Sequence, residues 1–334
     1  MINTEILKNL TFSTLLTGLI LNPLNAIAND EPSSFFFHVL ADLPYKEDQE
    51  VTLEEKIIPT LQQDPGPFLV HLGDIKGGGD SCDLDLLEAR IFQIKNIHPS
   101  AVFYTPGDNE WTDCDRKKLK KPVSELKMLE TLRALYFRNE KEKPAYLNAI
   151  RQVLYPENQR WQYLNNVFAT IHLVGTNNGR TDILLDNEDF ALSQVTARDA
   201  ANRYWLRETF KRAHETNART VIIATQADVT NSSFKSPCTP AEPKNCNAFA
   251  AFNTQLREEA ARFQKPVLLL HGDSFPYCTD KTFGTDIAPN LWRFNAAGDY
   301  KIIDAVTITV DPAKREEPFA MQTLRNKILP DQHC

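Results

Sequence analysis

The chain has 334 residues, of which 42% are hydrophobic, and a formal net charge of -7. This length is enough for a sizeable core, in one large domain or two small ones. A moderately acidic chain lacks the charge pattern of a general nucleic-acid or membrane-surface binder, so we expect no nucleic-acid partner.

The first 28 residues have the pattern of a secretory signal peptide. Lys8 gives a weakly basic start, a short apolar run covers residues 15–21, and Ala26-Ile27-Ala28 supplies small residues for cleavage. The apolar run is too short to span a bilayer. A retained membrane anchor or a buried helix is the alternative. We expect cleavage after Ala28 and an exported protein, periplasmic or secreted, with no membrane span.

Six cysteines lie beyond the predicted cleavage site: Cys82, Cys114, Cys238, Cys246, Cys278 and Cys334. An even number of cysteines in an oxidising compartment indicates three disulfides, although sequence alone does not fix the pairing. Cys238 and Cys246 bracket a short proline-containing loop and could bond to each other. A zinc site is the alternative, which the absence of any Cys-x-x-Cys pair disfavours.

Apolar segments of strand length alternate with helical segments. Strands are predicted at residues 35–41, 68–72, 101–105, 168–174, 221–225 and 267–271, with further β-rich runs at 291–294 and 302–310. Nearly continuous apolar runs fit strands that are buried on both faces. Leu206, Phe210 and Ala213 fall on one helical face, which is typical of a helix packed on a sheet. The alternation predicts an α/β fold with right-handed crossovers, and the last two runs predict a hairpin that completes a second sheet.

A charged stretch at residues 115–143 predicts a helical insertion over the surface, which we place near residues 115–160. We identify no linker that would divide the chain. Residues 29–334 are therefore expected to form a single domain.

Polar residues follow the ends of the six predicted strands: Asp42, Asp74, Asp108, Asn177 or Asn178, Gln226 and Asp273. Ligands of open α/β sheets bind outside the carboxyl ends of strands, so we expect these side chains on one rim. Crowded carboxylates raise each other's pKa, and a divalent cation removes that repulsion. Oxygen donors favour a hard cation such as Mg, Mn or Ca. The alternative is that individual acids only form turns or cap helices.

The order of these motifs resembles the calcineurin-like metallophosphoesterase family, over residues 35 to about 319. Gly73-Asp74 and Pro106-Gly107-Asp108-Asn109-Glu110 are the most specific pieces. The family has D-x-H, G-D-x-x-D, G-N-H-[D/E], a lone His and G-H-x-H, each after a strand. The resemblance implies a four-layer αββα sandwich of two mixed β-sheets around a metal centre, in a divergent branch.

The resemblance implies metal ligands at five positions. Asp42 matches the Asp of the first motif, and Asp74 matches the Asp that bridges both metals. Asp108 stands where the family has its ligand Asn. Gln226 replaces the lone His, and Asp273 replaces the first His of the last motif. All of these replacements keep oxygen donors.

Other positions depart from the family. Pro44, Gly77 and Phe275 replace ligands, so the resemblance implies one hard divalent cation (Mg, Mn, Ca or Fe) rather than two. Asn109 stands where the family has its catalytic His. His271 is a candidate spare ligand or acid, and a packed histidine is the alternative.

These departures leave two functions open. The first is a weakened metal-dependent phosphoesterase that hydrolyses a phosphorylated small molecule, as a monoester or a diester. The second is a catalytically inactive relative that binds a phosphorylated ligand or a protein partner.

The ligand positions also predict the disulfides. Cys82 and Cys114 each lie shortly after one of these positions, Asp74 or Asp108, so we predict that they pair. With Cys238 bonded to Cys246, Cys278 is left for Cys334. That bond would hold the end of the chain near the loop after the sixth strand.

Overall fold

A computed structural model describes residues 34–138 and 140–334, so the predicted signal peptide lies outside the described residues. The strands of this part are β1 (Phe35–Leu40), β2 (Leu69–His71), β3 (Val102–Tyr104), β4 (Ile150–Arg151), β5 (Gln159–Tyr163), β6 (Asn166–Thr170), β7 (Val221–Ala224), β8 (Val267–His271), β9 (Cys278–Asp280), β10 (Leu291–Asn295), β11 (Val306–Val310) and β12 (Phe319–Thr323).

The helices are α1 (Glu47–Thr52), α2 (Ile58–Gln63), α3 (Leu84–Asn96), α4 (Glu125–Leu132), α5 (Glu188–Glu215) and α6 (Ala250–Phe263). Two π-helical turns extend the first and fourth helices, at Leu53–Ile57 and Arg133–Phe137, and a 3-10 turn covers Ala145–Leu147. Residues Gly175–Gly179 form a turn in which three consecutive residues, Thr176 to Asn178, have positive φ.

The strands form two mixed sheets. One has the order β12-β11-β1-β2-β3, and the other has the order β4-β5-β6-β7-β8-β10-β9. Strands β1, β2 and β3 are parallel neighbours, and so are β6, β7, β8 and β10. Helical segments connect most of these parallel strands, as right-handed crossovers require. The prediction of an α/β fold with two mixed sheets is confirmed.

Apolar cores separate the four layers. The central core joins the sheets through Phe37, Phe68 and Phe103 on one side and Trp161, Phe168 and Leu268 on the other. Phe103 and Trp161 stack across it, with ring centroids 3.6 Å apart. The first sheet packs its outer face on α2, α3, α4 and the two π-helical turns, and the second packs its outer face on α5 and α6. Because most central strands are buried on both faces, their sequences read as continuous apolar runs.

The predicted hairpin needs a correction. Strand β10 lies in the second sheet, parallel to β8, whereas β11 lies in the first sheet, antiparallel to β1. Residues 296–305 carry the chain from one sheet to the other, and no crossover helix is needed for that step. The hairpin is formed instead by β11 and β12 and completes the first sheet.

The predicted insertion near residues 115–160 contains α4 and its π-helical turn, followed by β4 and the first residues of β5. Leu129, Leu132 and Tyr136 are buried in the core beneath the first sheet. This helix is therefore part of the packed layer rather than an excursion over the surface.

Across the described ranges, no helix combines the length and apolarity that a bilayer span requires.

The three predicted disulfides are present. Cys82 bonds to Cys114, Cys238 to Cys246 and Cys278 to Cys334, with Cα atoms 5.6, 4.9 and 5.3 Å apart. The described residues contain no free cysteine. Three such bonds fit a protein of an oxidising compartment.

Removing the Cys82–Cys114 bond is expected to destabilise the protein more than removing the Cys238–Cys246 bond. The first bond joins residues 32 apart and the second joins residues 8 apart. Loop-closure entropy predicts losses of about 4 and about 2.5 kcal/mol. Urea unfolding of the two double-alanine variants measures both. An equal or larger loss for the Cys238–Cys246 pair would contradict the expectation.

Candidate metal centre

Three aspartates from the two sheets converge at one rim of the sandwich. Asp74 follows β2, Asp108 follows β3 and Asp273 follows β8, and one carboxylate oxygen of each lies within 4.8 Å of the others. Asp74 and Asp108 are buried, and Asp273 is partly buried. We call these three residues the acidic cluster. The structure therefore brings together three of the carboxylates that were predicted from the strand ends.

The backbone at these strand ends is unusual. Asp42, Asp74 and Asp273 have φ values of 53°, 57° and 69°. This left-handed region disfavours side chains other than glycine, asparagine and aspartate, and residues kept there often belong to functional sites. Each strand thus ends in a turn, and the three turns lie at the same rim.

Backbone also approaches the carboxylates closely. A Cβ on Gly175 would lie 2.9 Å from Oδ1 of Asp273 and 2.7 Å from Cγ of Asp108. A Cβ on Gly107 would lie 2.9 Å from Cγ of Asp74. Larger residues at either position would push the carboxylates apart, so these glycines permit the cluster to form.

Few positive charges compensate the negative charge of the acidic cluster. Burial, together with the neighbouring carboxylates, raises the pKa of Asp74 and of Asp273 well above the usual range. Burial raises the pKa of Asp42 to about 7, against the opposing effect of a hydrogen bond from the Asp273 N–H. Several carboxylates this close are stable in ionised form only with a cation among them. An all-oxygen donor set of this kind fits a hard divalent ion.

No open space for a metal ion lies between the carboxylates of Asp42 and Asp74. The Tyr45 hydroxyl lies 2.8 Å from Oδ2 of Asp74 and 3.3 Å from Oδ1 of Asp42. The backbone N–H of Asp273 also donates to both oxygens of Asp42, at 3.0 and 3.2 Å. The Tyr45 hydroxyl therefore lies between the two carboxylates, which agrees with the expectation of one cation rather than two.

Gln226, a predicted metal ligand, forms hydrogen bonds through both polar atoms of its side chain. Its Nε2 donates to Oδ1 of Asp108 at 2.9 Å, and its Oε1 accepts from the N–H of Gly175 at 2.8 Å. Both polar atoms are thus engaged, and the side chain orients a carboxylate of the cluster.

The two predicted catalytic residues have different surroundings. Asn109 lies beside the cluster, and its N–H is 3.3 Å from Oδ1 of Asp74. His271 is fully buried, with Nδ1 2.8 Å from the carbonyl oxygen of Gly272 and Nε2 3.5 Å from Nη1 of Arg293. Burial lowers the pKa of His271. The structure brings Asn109, but not His271, to the acidic cluster.

The fourth strand end contributes a residue that the sequence analysis did not select. The Thr176 hydroxyl lies 3.0 Å from Oδ2 of Asp108 and 3.0 Å from Oδ1 of Asp113. The side chain of Asn177 instead donates to the carbonyl oxygen of Cys246, and that of Asn178 donates to Asp199. Neither asparagine belongs to the cluster.

Glu110 is a second residue that sequence reasoning missed. Its carboxylate is fully buried and accepts from the Tyr104 hydroxyl at 2.9 Å, from the N–H of Gly107 at 2.8 Å and from the N–H of Asp74 at 3.0 Å. It therefore fixes two of the loops that carry cluster residues. The signal was available, because Glu110 belongs to the motif that carries the resemblance.

Comparisons with known proteins add the following. No family model matches the sequence, and no curated protein matches it. The structure of PhoD is similar with a TM-score of 0.48 and 14% identity, over 87% of this chain and 68% of that chain. GAP50, the anchor in the inner membrane complex of Plasmodium, is similar with a TM-score of 0.43 and 8% identity, over 89% of this chain and 86% of that chain. These similarities are too low to bear on activity.

Proposed function

We propose that the protein is a metal-dependent phosphoesterase with a single hard divalent cation held by Asp74, Asp108 and Asp273. The observation that supports this proposal is the approach of the three carboxylates to within 4.8 Å of one another. A cation bound there supplies Lewis-acid stabilisation of charge on a phosphoryl group.

The chain's own residues suit an anionic ligand at this rim. Arg116 is partly exposed, pairs with Asp113 at 2.6 Å and donates to the carbonyl oxygen of Gly78 at 3.3 Å. A Cβ on Gly78 would lie 2.8 Å from the Arg116 guanidinium and would clash with Oδ1 of Asn109, so these groups are neighbours. Arg116 is in place to pair with a phosphate oxygen, and the Asn109 amide can donate a hydrogen bond to it.

The alternative is an inactive phosphoesterase-like protein that binds a phosphorylated ligand or a protein partner. One observation favours it: among the described residues, no histidine forms a hydrogen bond with the acidic cluster. A positioned general acid typically contributes about 10²–10⁴-fold to a rate. Asn109 cannot supply that proton.

Metal analysis of the purified protein, paired with p-nitrophenyl phosphate hydrolysis in Mg, Mn, Ca, Fe or Zn, separates the two functions. The phosphoesterase proposal expects close to one equivalent of a hard cation and turnover that EDTA abolishes. Stoichiometric metal without turnover would favour the binding protein. Absence of metal binding would overturn the proposed site.

The Asn109→His variant is expected to hydrolyse an unactivated alkyl phosphate about tenfold faster than the unmodified protein. An imidazole at this position could protonate a poor leaving group. The gain for p-nitrophenyl phosphate should be smaller, because its leaving group needs no acid. Asn96→His is the matched control, because Asn96 is exposed at the end of α3, before the start of β3 rather than after a strand end. Equal rates for both variants on the alkyl ester would show that a side chain at position 109 does not protonate the leaving group.

We propose that the protein is exported. Two observations support this: the three disulfides and the signal-peptide pattern of the first 28 residues. N-terminal sequencing of exported protein should begin at Asn29. A secreted product that retains Met1 would show that no cleavage occurs.

A further inference from the structure

A cavity of about 210 Å³ lies beside the acidic cluster but outside it. Its walls include Leu126 and Leu129 of α4, Ala191 and Val195 of α5, and Trp111. Trp111 follows Asp108 by three residues, so the cavity lies behind a loop of the candidate metal centre. A cavity of ~150 Å³ with apolar walls already admits benzene. The space is therefore large enough for a small aromatic molecule.

One wall carries a buried cation that forms no ion pair with any residue that the structure describes. Arg198 is 3% exposed, and its guanidinium carbon lies 4.9 Å from the centre of the Trp111 ring. Its Nη2 donates to the carbonyl and side-chain oxygens of Asn178 at 2.6 and 3.0 Å, while its Nε has no partner in the described part of the chain. The adjacent Asp199 is paired with Arg180. A buried guanidinium in this state favours an anion beside it.

The carboxyl group in the same wall does not supply that anion. Glu125 is 2% exposed, and its Oε1 has no hydrogen-bond partner within residues 34–138 and 140–334. Burial raises the pKa of Glu125 to about 10, with help from the nearby carboxylates of Asp115 and Asp186 and against the opposing charge of Arg198. Glu125 is therefore a neutral hydrogen-bond donor at pH 7, and it can share a proton with a ligand oxygen.

The remaining charged wall residues are already neutralised. Arg133 pairs with Glu130 at 2.8 Å and with Glu157 at 2.5 Å. Trp111 adds a further donor, since its indole Nε1 is buried and has no partner in the described ranges. The cavity thus combines apolar walls with an unpaired cation and two neutral donors.

We propose that this cavity binds a small aromatic carboxylate, whose anionic group pairs with Arg198 and whose ring packs against Trp111, Leu129 and Val195. This inference does not rest on the proposed phosphoesterase activity. The ligand would lie on the far side of Trp111 from the rim where the phosphate is expected.

Calorimetric titration with benzoate tests the proposal on the folded, disulfide-bonded protein in EDTA, so that no carboxylate–metal contact contributes. Benzamide is the neutral probe of the same shape. Benzoate should bind with one-to-one stoichiometry, and benzamide should bind at least about tenfold more weakly, because it lacks the charge that pairs with the guanidinium. Lack of benzoate binding at millimolar concentration, or equal affinity for both probes, would overturn the proposal.

A pair of tryptophan variants locates the bound probe. Gln194 and Ser193 are both exposed on α5, but only Gln194 lines the cavity. Gln194→Trp should obstruct the cavity and weaken benzoate binding at least about tenfold. Ser193→Trp adds the same ring beside it and should leave binding unchanged. Unchanged affinity in Gln194→Trp would place the benzoate elsewhere and end the proposal.

Discussion

If the proposed metal centre is correct, the Asp74→Asn variant is expected to bind the cation and to hydrolyse phosphoesters on the order of 100-fold or more less well than the unmodified protein. Asp74 is buried at the centre of the rim, and its backbone and side chain contact both Glu110 and Tyr45. Asparagine keeps the shape and tolerates the left-handed backbone, but it removes a charge that a hard cation needs. Metal analysis and the p-nitrophenyl phosphate assay measure the two losses.

The same substitution should stabilise the metal-free protein. Burial and the neighbouring carboxylates disfavour ionised Asp74, as the raised pKa shows, so a neutral amide relieves repulsion in the fold. We expect a rise in the metal-free Tm of about 2 °C or more. Asp182→Asn is the matched control, because Asp182 also has positive φ but is exposed. A lower Tm for Asp74→Asn than for Asp182→Asn would show that the carboxylate is mainly structural.

Metal-free protein is expected to lose stability as the pH rises from about 4 to about 7. Burial raises the pKa of Asp42 and that of Asp113 to about 7, against about 3.9 in an unfolded chain. A carboxyl group with a raised folded-state pKa binds its proton more tightly in the fold. Its stabilising contribution is therefore complete below pH 4 and disappears as the pH passes through the folded-state value. The summed loss should be on the order of several kcal/mol.

Added cation should reverse this dependence. A cation at 100 times its Kd contributes about 2.7 kcal/mol to the free energy of unfolding, and it binds best to ionised carboxylates. Urea unfolding at pH 5 and pH 8, in EDTA and in excess Mn²⁺, gives the four values required. Greater stability at pH 8 than at pH 5 in EDTA would contradict the charge state that we assign to the rim.

Much of the architecture follows from local sequence. Strands β1 and β8 are buried on both faces, so their apolar runs predict them directly, and the carboxylates that follow them mark the rim. By contrast, β5 reads Gln-Arg-Trp-Gln-Tyr, with buried and partly buried residues, and polar residues at three of its five positions hide the apolar pattern of a strand. The assignment of β10 and β11 to different sheets depends on long-range pairing, which apolar patterning does not encode.

The chemistry of the rim was only partly predictable, for a similar reason. Residue type and position identified Asp74, Asp108 and Asp273, because carboxylates after parallel strands share one edge. The roles of Tyr45 and Gln226 depend on which atom each side chain presents to a neighbour from a distant part of the chain. Hydrogen-bond direction of this kind is set by tertiary packing and leaves no local sequence pattern.

The acidic cluster has a consequence for the order in which the protein matures. Asp74 and Asp108 follow strands of the first sheet, whereas Asp273 follows β8 of the second sheet, much later in the chain. A partly synthesised or half-folded chain therefore presents two of the three carboxylates and no closed coordination sphere. If the proposed metal centre is correct, cation binding would be a late step of folding, completed only in molecules in which the two sheets have docked.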